Sequence, residues 1–402
     1  MAITDKQAFF GKIQSGLHAV AVGDALGAGV EVMNAGQIKT LFGDNGVTHY
    51  VENELVKPGD ITDDTSTTAC AIMALSRTLG TTDPEAHDFQ EQLLYNLHQI
   101  LLTWVKDQKQ LKIINGDKVV TLEGGKASHF IDNSVTWPDG VDALFHTPGA
   151  GKSTILSLCQ GRMGTLEARP ETGDPAYTYS NGCGGMIRIL PMAVLCGYTD
   201  LDPYELGMQS AAVTHGDWNA IIATGLICRI MSDTIKHNST VEAAVAETLS
   251  WAQTQINEEK NEEKKQALGN MIEAMQTALH HATPGLTPEG IDNANKVYFN
   301  AISKKIERFR SESVFLDALL TSISAERGQL DMKKSLQMAV NHSGDSDSVG
   351  AVCGGLLGVK EYSHKDIEPL YRGIDIKYRS ALNAVLGNMS EELNMGNARN
   401  VG

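Results

Sequence analysis

The sequence predicts an all-α protein, and three observations support this fold class. Apolar residues recur every three or four positions along most of the chain, which is typical of amphipathic helices. Strict alternation of apolar and polar residues is almost absent. Hydrophobic residues make up 42% and charged residues 20% of the 402 residues, so the chain can bury a sizeable core. By length this is one large domain or two ordinary ones.

The first predicted helix begins after Thr4 or Asp5, either of which can cap it, and runs close to Gly27. Its apolar residues Phe9, Ile13, Leu17 and Val20 follow the helical period. The same period predicts further helices at Asp64–Leu79, Asp88–Val105, Asn181–Leu195, Asp202–Ala212, Trp218–Met231, Thr240–Ile256, Ala267–His280, Ser313–Ser322, Met332–Val340 and Ser348–Gly358.

One small hairpin interrupts the helical pattern. The strand-like fragments Leu111–Ile114 and Lys118–Leu122 flank Asn115-Gly116, a pair that favours a tight turn. The hairpin lies in the first of two segments that look like insertions into the helical body, residues 106–145 and 253–310. No repeat of fixed period is visible, which disfavours a solenoid.

The charge and the cysteines narrow the class of protein. Lys and Arg number 33 against 49 Asp and Glu, a net charge of −16, which argues against a nucleic-acid or anionic-membrane partner. The six cysteines include no CxxC pair and indicate reduced thiols. The chain shows no secretory signal at its start and no apolar run long enough for a bilayer. We expect a soluble cytoplasmic protein.

The first acidic cluster is Thr62-Asp63-Asp64-Thr65, at the start of a predicted helix. Adjacent carboxylates repel one another unless a cation, a helix N-terminus or solvent offsets the repulsion. Helix capping alone accounts for one of the two aspartates and leaves the second unexplained.

The second acidic cluster, His342–Ser348, also opens a helix and contains Asp345, Asp347 and Ser348. Alone, it is equally well explained by an Asx-turn with a cap. Together the two clusters offer four carboxylates and two hydroxyls, those of Thr62 and Ser348. If the fold unites them, oxygen ligands alone favour Mg²⁺ or Mn²⁺, as a pair of ions with a bridging aspartate. Zinc is disfavoured because no His or Cys stands at ligand spacing.

Two further acidic residues lie near the end of the first helix. Asp24 falls on the apolar face of that helix, where a carboxylate is costly without partners. It either orients a ligand from behind or caps neighbouring backbone, and the sequence leaves both roles open. Glu31 follows the helix end and either reaches a shared cavity or is an exposed glutamate.

Two glycine-rich segments are candidate phosphate sites. Thr147–Thr154 is similar to a P-loop only superficially, because His146 stands where the first glycine is required. A nest of backbone N–H groups near Gly149 and Ser153 still suits an anion. The glycines of Tyr177–Arg188 allow either close ligand approach or close helix packing, and its tyrosines can stack on a base.

Two further features, a histidine and a series of spaced glycines, fit a structural role. His215 ends one predicted helix and, taken alone, is more typical of a structural hydrogen-bonding residue than of a catalyst. Gly350, Gly354 and Gly358 are spaced four apart, which in a charged soluble protein indicates tight helix packing.

Five motifs together resemble one family. They are GDALGAGVE (Gly23–Glu31), KPGDITDDT (Lys57–Thr65), YSNGCGGMIR (Tyr179–Arg188), THGDWNA (Thr214–Ala220) and NHSGDSDSVGAVCGG (Asn341–Gly355). In this order they look like the ADP-ribosylglycohydrolase family. The resemblance spans most of the chain and implies a single domain over residues 1–402. It also implies an orthogonally packed all-α bundle with a dinuclear Mg²⁺ or Mn²⁺ centre.

The resemblance also implies roles for individual residues. The family's metal ligands match Thr62, Asp63, Asp64, Asp345, Asp347 and Ser348. Many members have threonine at the position of Ser348, which keeps the hydroxyl. A glutamate of the dinitrogenase-reductase-activating branch matches Glu31, so the candidate catalytic carboxylates are Asp63, Asp64 and Glu31. The candidate substrate-binding residues are Gly149, Ser153, Ser180, Asn181, Gly182, Cys183, Gly184 and His215.

The expected function is metal-dependent removal of ADP-ribose from modified protein side chains. The GDSDS and GCG elements are similar to those of arginine-specific members, which favours ADP-ribosyl-arginine over ADP-ribosyl-serine. One alternative is an immunity protein that binds an ADP-ribosyltransferase partner, with or without hydrolysis. Another is a phosphoesterase acting on a nucleotide. The chain departs from the family pattern in the two insertions and in a C-terminal tail, residues 365–402.

Overall fold

The computed structural model describes residues 3, 5–107, 111–115, 118–122, 131–132, 137–174, 177–360 and 364–394. These residues form seventeen α-helices and two small hairpins, which confirms the all-α prediction. The first eight helices are α1 (Lys6–Ala28), α2 (Ala35–Phe42), α3 (Asp63–Thr81), α4 (Phe89–Asp107), α5 (Lys152–Cys159), α6 (Gly184–Ile187), α7 (Leu190–Tyr198) and α8 (Pro203–Ala212). The next nine are α9 (Trp218–His237), α10 (Val241–Glu258), α11 (Glu262–His281), α12 (Pro288–Ala301), α13 (Ser311–Arg327), α14 (Met332–Val340), α15 (Ser346–Gly358), α16 (Glu368–Gly373) and α17 (Ile376–Glu392).

The predicted hairpin is present. Strand β1 (Leu111–Asn115) pairs antiparallel with β2 (Lys118–Leu122), and Asn115 lies opposite Lys118. The predicted turn residue Gly116 lies outside the described residues, as does much of segment 106–145. A second hairpin, β3 (Glu171–Asp174) with β4 (Tyr177–Tyr179), was not predicted because such short strands carry too little pattern.

Helices α1 and α15 cross in backbone contact, and glycines make this possible. A Cβ atom on Gly350 would lie 2.5 Å from the carbonyl oxygen of Gly23, and one on Gly27 would lie 2.4 Å from the amide nitrogen of Asp347. A Cβ on Gly354 would lie 2.5 Å from the carbonyl oxygen of Ala19. The tight packing predicted from the glycine spacing is therefore present, and it brings the end of α1 against the start of α15.

The second insertion and the tail both contribute helices to the body. Segment 253–310 includes α11 and α12, which pack against α13, and α11 also packs against α9. In the tail, α17 packs against α3. It does so through a buried face of Tyr378, Ala381, Leu382, Val385, Leu386 and Met389.

One predicted helix is wrong as a single element. The segment Asn181–Leu195 forms the short helix α6 and then α7, with Arg188 and Ile189 between them. Pro191 stands at the second position of α7, where its missing N–H costs nothing, so the sequence favours a fresh helix start there.

Two absences concern the described residues only. None of their helices is long and apolar enough to cross a membrane. All six cysteines are among the described residues, and none of them forms a disulfide.

Candidate active site

Asp24 lies near the end of α1, faces the start of α3 and is fully buried. Its carboxylate accepts hydrogen bonds from the backbone N–H of Thr62 at 3.0 Å and of Thr65 at 3.1 Å, and from the Thr65 hydroxyl. Burial raises the pKa of Asp24 to about 6, although these hydrogen bonds act in the opposite direction. Of the two roles left open by the sequence, the structure shows backbone capping, which fixes the start of α3.

Hydrogen bonds within the first acidic cluster and from a neighbouring loop hold it in place. Thr62 caps α3, and its hydroxyl accepts the N–H of Asp64 at 3.2 Å. Asp63 accepts the N–H of Gly151 at 3.0 Å through Oδ2. Gly149 has φ of +88°, and a Cβ on it would lie 3.0 Å from Asp63 Oδ1. The Gly151 amide of the predicted phosphate nest therefore binds a carboxylate of the protein itself.

The second acidic cluster meets the first. The Ser348 hydroxyl donates a hydrogen bond to Asp64 Oδ2 at 3.0 Å, and the backbone N–H of Ser348 donates to Asp347 Oδ1 at 3.0 Å. Asp345 is the N-cap residue of α15, yet its side chain makes no capping hydrogen bond. Its Oδ2 instead lies 3.5 Å from the sulfur of Cys183, which is also 3.4 Å from Ser348 Oγ. The two helix starts thus share one site.

Glu31 completes this site from the turn after α1. Carboxylate oxygens of Glu31, Asp345 and Asp347 all lie within 4.8 Å of one another. Asp345 and Asp347 are buried, whereas Glu31 is half-buried. Three carboxylates at this spacing repel one another strongly unless protons or a cation offset their charge.

The electrostatics of the site reflect this crowding. Burial raises the pKa of Asp63, Asp64 and Asp347 well above the ordinary value, and the neighbouring carboxylates raise it further. Burial also raises the pKa of Glu31 to about 7, with repulsion from Asp345 as the next cause. The folded protein therefore concentrates negative charge in a place where water stabilises it poorly.

The residues present fit a hard divalent cation. The side-chain atoms through which the two clusters approach each other are carboxylate and hydroxyl oxygens. These are the ligand atoms that Mg²⁺ and Mn²⁺ prefer. The crowding of buried carboxylates is the feature that a bound cation relieves.

Asn181, a candidate substrate-binding residue, contacts the start of α13. Its backbone oxygen accepts the N–H of Ser311 at 3.2 Å, and its side chain donates to Glu312 at 2.8 Å and accepts from the Ser311 hydroxyl. Glu312 is buried and also pairs with Lys304 at 3.0 Å. The Asn181 side chain therefore positions the glycine turn, residues 182–185. Glu312 helps to hold Asn181, and the sequence did not indicate this role.

The glycine turn lies between α5 and the His215 loop. Ser180 accepts the N–H of Gly182 through its hydroxyl at 3.3 Å, and its carbonyl accepts the N–H of Asp217 at 3.2 Å. Ser153 is half-buried in the first turn of α5. The hydroxyl of the next residue, Thr154, lies 3.2 Å from where a Cβ on Gly184 would be, so α5 faces the turn. Sequence reasoning gave Thr154 no role.

His215 lies against Gly182 and Gly184, and its ring is hydrogen-bonded to Thr214. A Cβ on Gly182 would lie 3.4 Å from His215 Nε2, and one on Gly184 would lie 3.3 Å from its Cε1. His215 Nδ1 is 2.9 Å from the Thr214 hydroxyl, which accepts a hydrogen bond from Arg188. Burial lowers the pKa of His215 to about 3, so the ring is neutral. Since Arg188 can only donate, the Thr214 hydroxyl can donate to Nδ1, and in that tautomer the ring proton is on Nε2, beside the turn.

Arg188 links the same elements, although the sequence gave it no role. It is fully buried and donates to the carbonyl oxygens of Gly184 at 3.1 Å and Ser210 at 3.0 Å. Burial lowers the pKa of Arg188 to about 10, so it stays charged at neutral pH. The only local signal for it is a charged residue within an apolar run.

Tyr179, a candidate for stacking on a base, is already stacked. The Arg169 guanidinium lies 4.4 Å from the centre of the Tyr179 ring and 4.5 Å from that of Trp218. Arg169 also donates to the carbonyl oxygen of Gly216 at 2.6 Å. This cation–π stack ties β4 to the loop that carries His215.

Comparison with known proteins identifies the family of the chain. The sequence profile of the ADP-ribosylglycohydrolase family matches residues 5–363. A chain of a solved ADP-ribosylglycohydrolase-related protein complex has the same fold, with a TM-score of 0.52 and 20% identity, covering 96% of this chain and 98% of that chain. No curated protein matches the sequence. The chain therefore belongs to the ADP-ribosylglycohydrolase family, which makes it a hydrolase acting on ADP-ribose conjugates.

Proposed function

We propose that the protein releases ADP-ribose from modified arginine side chains by hydrolysing the N-glycosidic bond, with two Mg²⁺ or Mn²⁺ ions in the site. The observation that carries this proposal is the Ser348–Asp64 hydrogen bond of 3.0 Å, which unites the two acidic clusters. The mutual approach of Glu31, Asp345 and Asp347 within 4.8 Å supports it.

The ions would be held by oxygen atoms of the two helix starts. Their ligands would be Thr62, Asp63, Asp64, Asp345, Asp347 and Ser348. When bound, Mg²⁺ or Mn²⁺ supplies positive charge that orients ribose hydroxyls and lowers the pKa of water.

Hydrolysis breaks the bond from ribose C1″ to a guanidinium nitrogen. Water adds to C1″, the electron pair of the broken bond stays on nitrogen, and that nitrogen takes up a proton. Glu31 or Asp63 accepts the proton that the attacking water loses or donates the proton that the nitrogen takes up. The pKa of Glu31, about 7, suits proton exchange near neutral pH. Asp63 is already fixed in place by the Gly151 N–H.

The rest of ADP-ribose would lie beside the glycines at 182 and 184 and His215. The glycines at 182 and 184 leave room beside His215, whose Nε2 proton can donate to a pyrophosphate oxygen. Arginine rather than serine as the modified residue is inferred from the GDSDS and GCG elements.

The test is release of free ADP-ribose from an ADP-ribosyl-arginine protein, with an ADP-ribosyl-serine peptide and a nucleotide phosphodiester in parallel. We expect fastest turnover of the arginine substrate with Mg²⁺ or Mn²⁺, none with EDTA, and loss of activity in Asp345→Ala. Asp366→Ala, an exposed carboxylate in the tail, is the matched control. An Asp345→Ala variant as active as wild type, or faster phosphodiester cleavage, would contradict the proposal.

The same variant separates hydrolysis from simple binding of an ADP-ribosyltransferase. A stable complex with such a partner that persists in Asp345→Ala, together with no release of ADP-ribose by wild type, would assign the protein to neutralisation instead.

A further inference from the structure

The last part of the second insertion, residues 302–310, leads into α13 beside the loop that carries Asp345. Within it, Arg308 forms an ion pair with Asp292 of α12, and its NH1 lies 3.7 Å from Asp317 Oδ2 of α13. The Arg308 side chain is only 16% exposed. Gly344 has φ of +153°, and a Cβ on it would lie 3.5 Å from Arg308 Cβ, so Arg308 packs on the loop next to Asp345.

The ion pair extends to both sides of the acidic site. The Ser343 hydroxyl donates to Asp292 Oδ2 at 3.1 Å, and the Ser343 hydroxyl oxygen in turn accepts the N–H of Ala35 at 3.0 Å. Ser343 is two residues before Asp345, and Ala35 is four residues after Glu31. Contacts through Ser343 therefore connect the insertion to the segments that carry Asp345 and Glu31, two of the three clustered carboxylates.

A second contact lies behind the loop. Asp317 and His342 are buried, and neither ring nitrogen of His342 has a hydrogen-bond partner among the described residues. His342 Nδ1 is 3.8 Å and Arg308 NH1 is 3.7 Å from the same oxygen, Asp317 Oδ2. These separations are too long for direct hydrogen bonds, so both side chains contact Asp317 without one. The His342 ring in turn packs against Gly344, where a Cβ would lie 3.3 Å from Nδ1.

We infer that Arg308 is a positioning residue for the metal centre. Through Asp292 and Ser343, and through Asp317 and His342, it holds the 342–345 loop so that Asp345 faces Glu31 and Asp347. The inference rests on the proposed metal site. Groups that support metal ligands from behind typically change metal affinity 10–100-fold when removed.

The test measures Mn²⁺ binding directly, by calorimetry and by the electron paramagnetic resonance spectrum of bound Mn²⁺. We expect Ser343→Ala and Arg308→Met each to weaken Mn²⁺ binding about tenfold. Arg308→Lys keeps the charge but cannot reach both carboxylates, so we expect an intermediate affinity. Arg310→Met is the matched control, because Arg310 lies in the same segment and pairs with Glu307 instead.

Thermal unfolding of each metal-free variant shows whether it is folded. Ser343→Ala removes only a hydroxyl, so it decides the question if Arg308→Met does not fold. Wild-type Mn²⁺ affinity retained within twofold in a folded Ser343→Ala variant overturns the inference and leaves the proposed function standing. A wild-type protein that binds no Mn²⁺ overturns both.

Discussion

The starts of α3 and α15 are both acidic helix N-termini, yet they are built differently. At α3, fixed hydrogen bonds hold the cluster: the Gly151 amide donates to Asp63, and the Asp24 carboxylate accepts the backbone N–H of Thr62. At α15, Asp345 makes no capping hydrogen bond and faces two other carboxylates within 4.8 Å. Hydrogen bonds to other segments fix the start of α3, whereas the start of α15 carries a carboxylate that no capping hydrogen bond offsets.

This difference separates the residues that stabilise the fold from the residues whose charge a cation would offset. Removing a partner at α3 leaves buried backbone donors unsatisfied, which destabilises the protein whether or not metal is bound. Removing a carboxylate at α15 relieves repulsion in the metal-free protein and weakens cation binding. The two regions should therefore respond in opposite directions when stability is measured without metal.

The largest expected effect is on activity at α15. Asp345→Asn should lower the rate of ADP-ribose release by about 10²-fold or more, because a misplaced substrate loses its reactive geometry. The metal-free variant should be at least as stable as wild type. Differential scanning fluorimetry with and without Mn²⁺ checks this: wild type should show a metal-dependent rise in Tm that the variant lacks. A variant that unfolds more easily than wild type without metal would remove the contrast between the two helix starts.

The next effect is on stability at α3. Asp24→Ala leaves the N–H groups of Thr62 and Thr65 without an acceptor, so we expect a loss of about 3 kcal/mol in the free energy of unfolding. Urea unfolding of the metal-free protein measures it. In Asp24→Asn the amide oxygen can replace Oδ2, which accepts most of these bonds, so less than half of that loss is expected. Equal stability of Asp24→Ala and wild type would show that the capping is not needed.

The pH dependence of the metal-free protein tests the crowding at α15. The pKa of Glu31 rises from 4.5 to about 7 on folding, so its protonated form is favoured in the native state. Its contribution to stability is complete below about pH 4.5 and is lost as pH rises through about 7. Because Glu31 is half-buried, we expect about 2 kcal/mol over this range. Unfolding at pH 5 and pH 8 in EDTA should show the loss in wild type and a smaller loss in Glu31→Gln.

Local sequence patterns predicted most of the helices and the position of both acidic clusters. The predicted helix Met332–Val340 is α14, and Asp5 caps α1 as the sequence indicated. Helix α17 lies in the segment that the sequence analysis assigns to a tail, although its buried residues follow the helical period. Periodicity and caps are local properties, so a single sequence displays them.

The union of the clusters could not be derived from spacing, because Asp64 and Ser348 lie 284 positions apart. The family resemblance supplied that expectation instead. The residues that fix the surrounding loops, Arg188, Glu312 and Arg308, act through partners on other helices or loops. Such pairs leave no local pattern, which is why the sequence does not indicate the contact of Asn181 with the start of α13.

The smallest effect concerns the hydrogen bond that joins the two helix starts. Ser348→Ala removes the donor to Asp64 Oδ2 and should cost about 1 kcal/mol of stability in the metal-free protein. Ser348→Thr keeps the hydroxyl and should change stability by less than about 0.5 kcal/mol, since no buried hydrogen bond is lost. Mn²⁺ titration of both variants adds a second reading: the threonine variant should bind like wild type and the alanine variant more weakly. If both variants bound Mn²⁺ like wild type, Ser348 would connect the two regions mechanically without serving the cation, and the link between them would rest on the carboxylates alone.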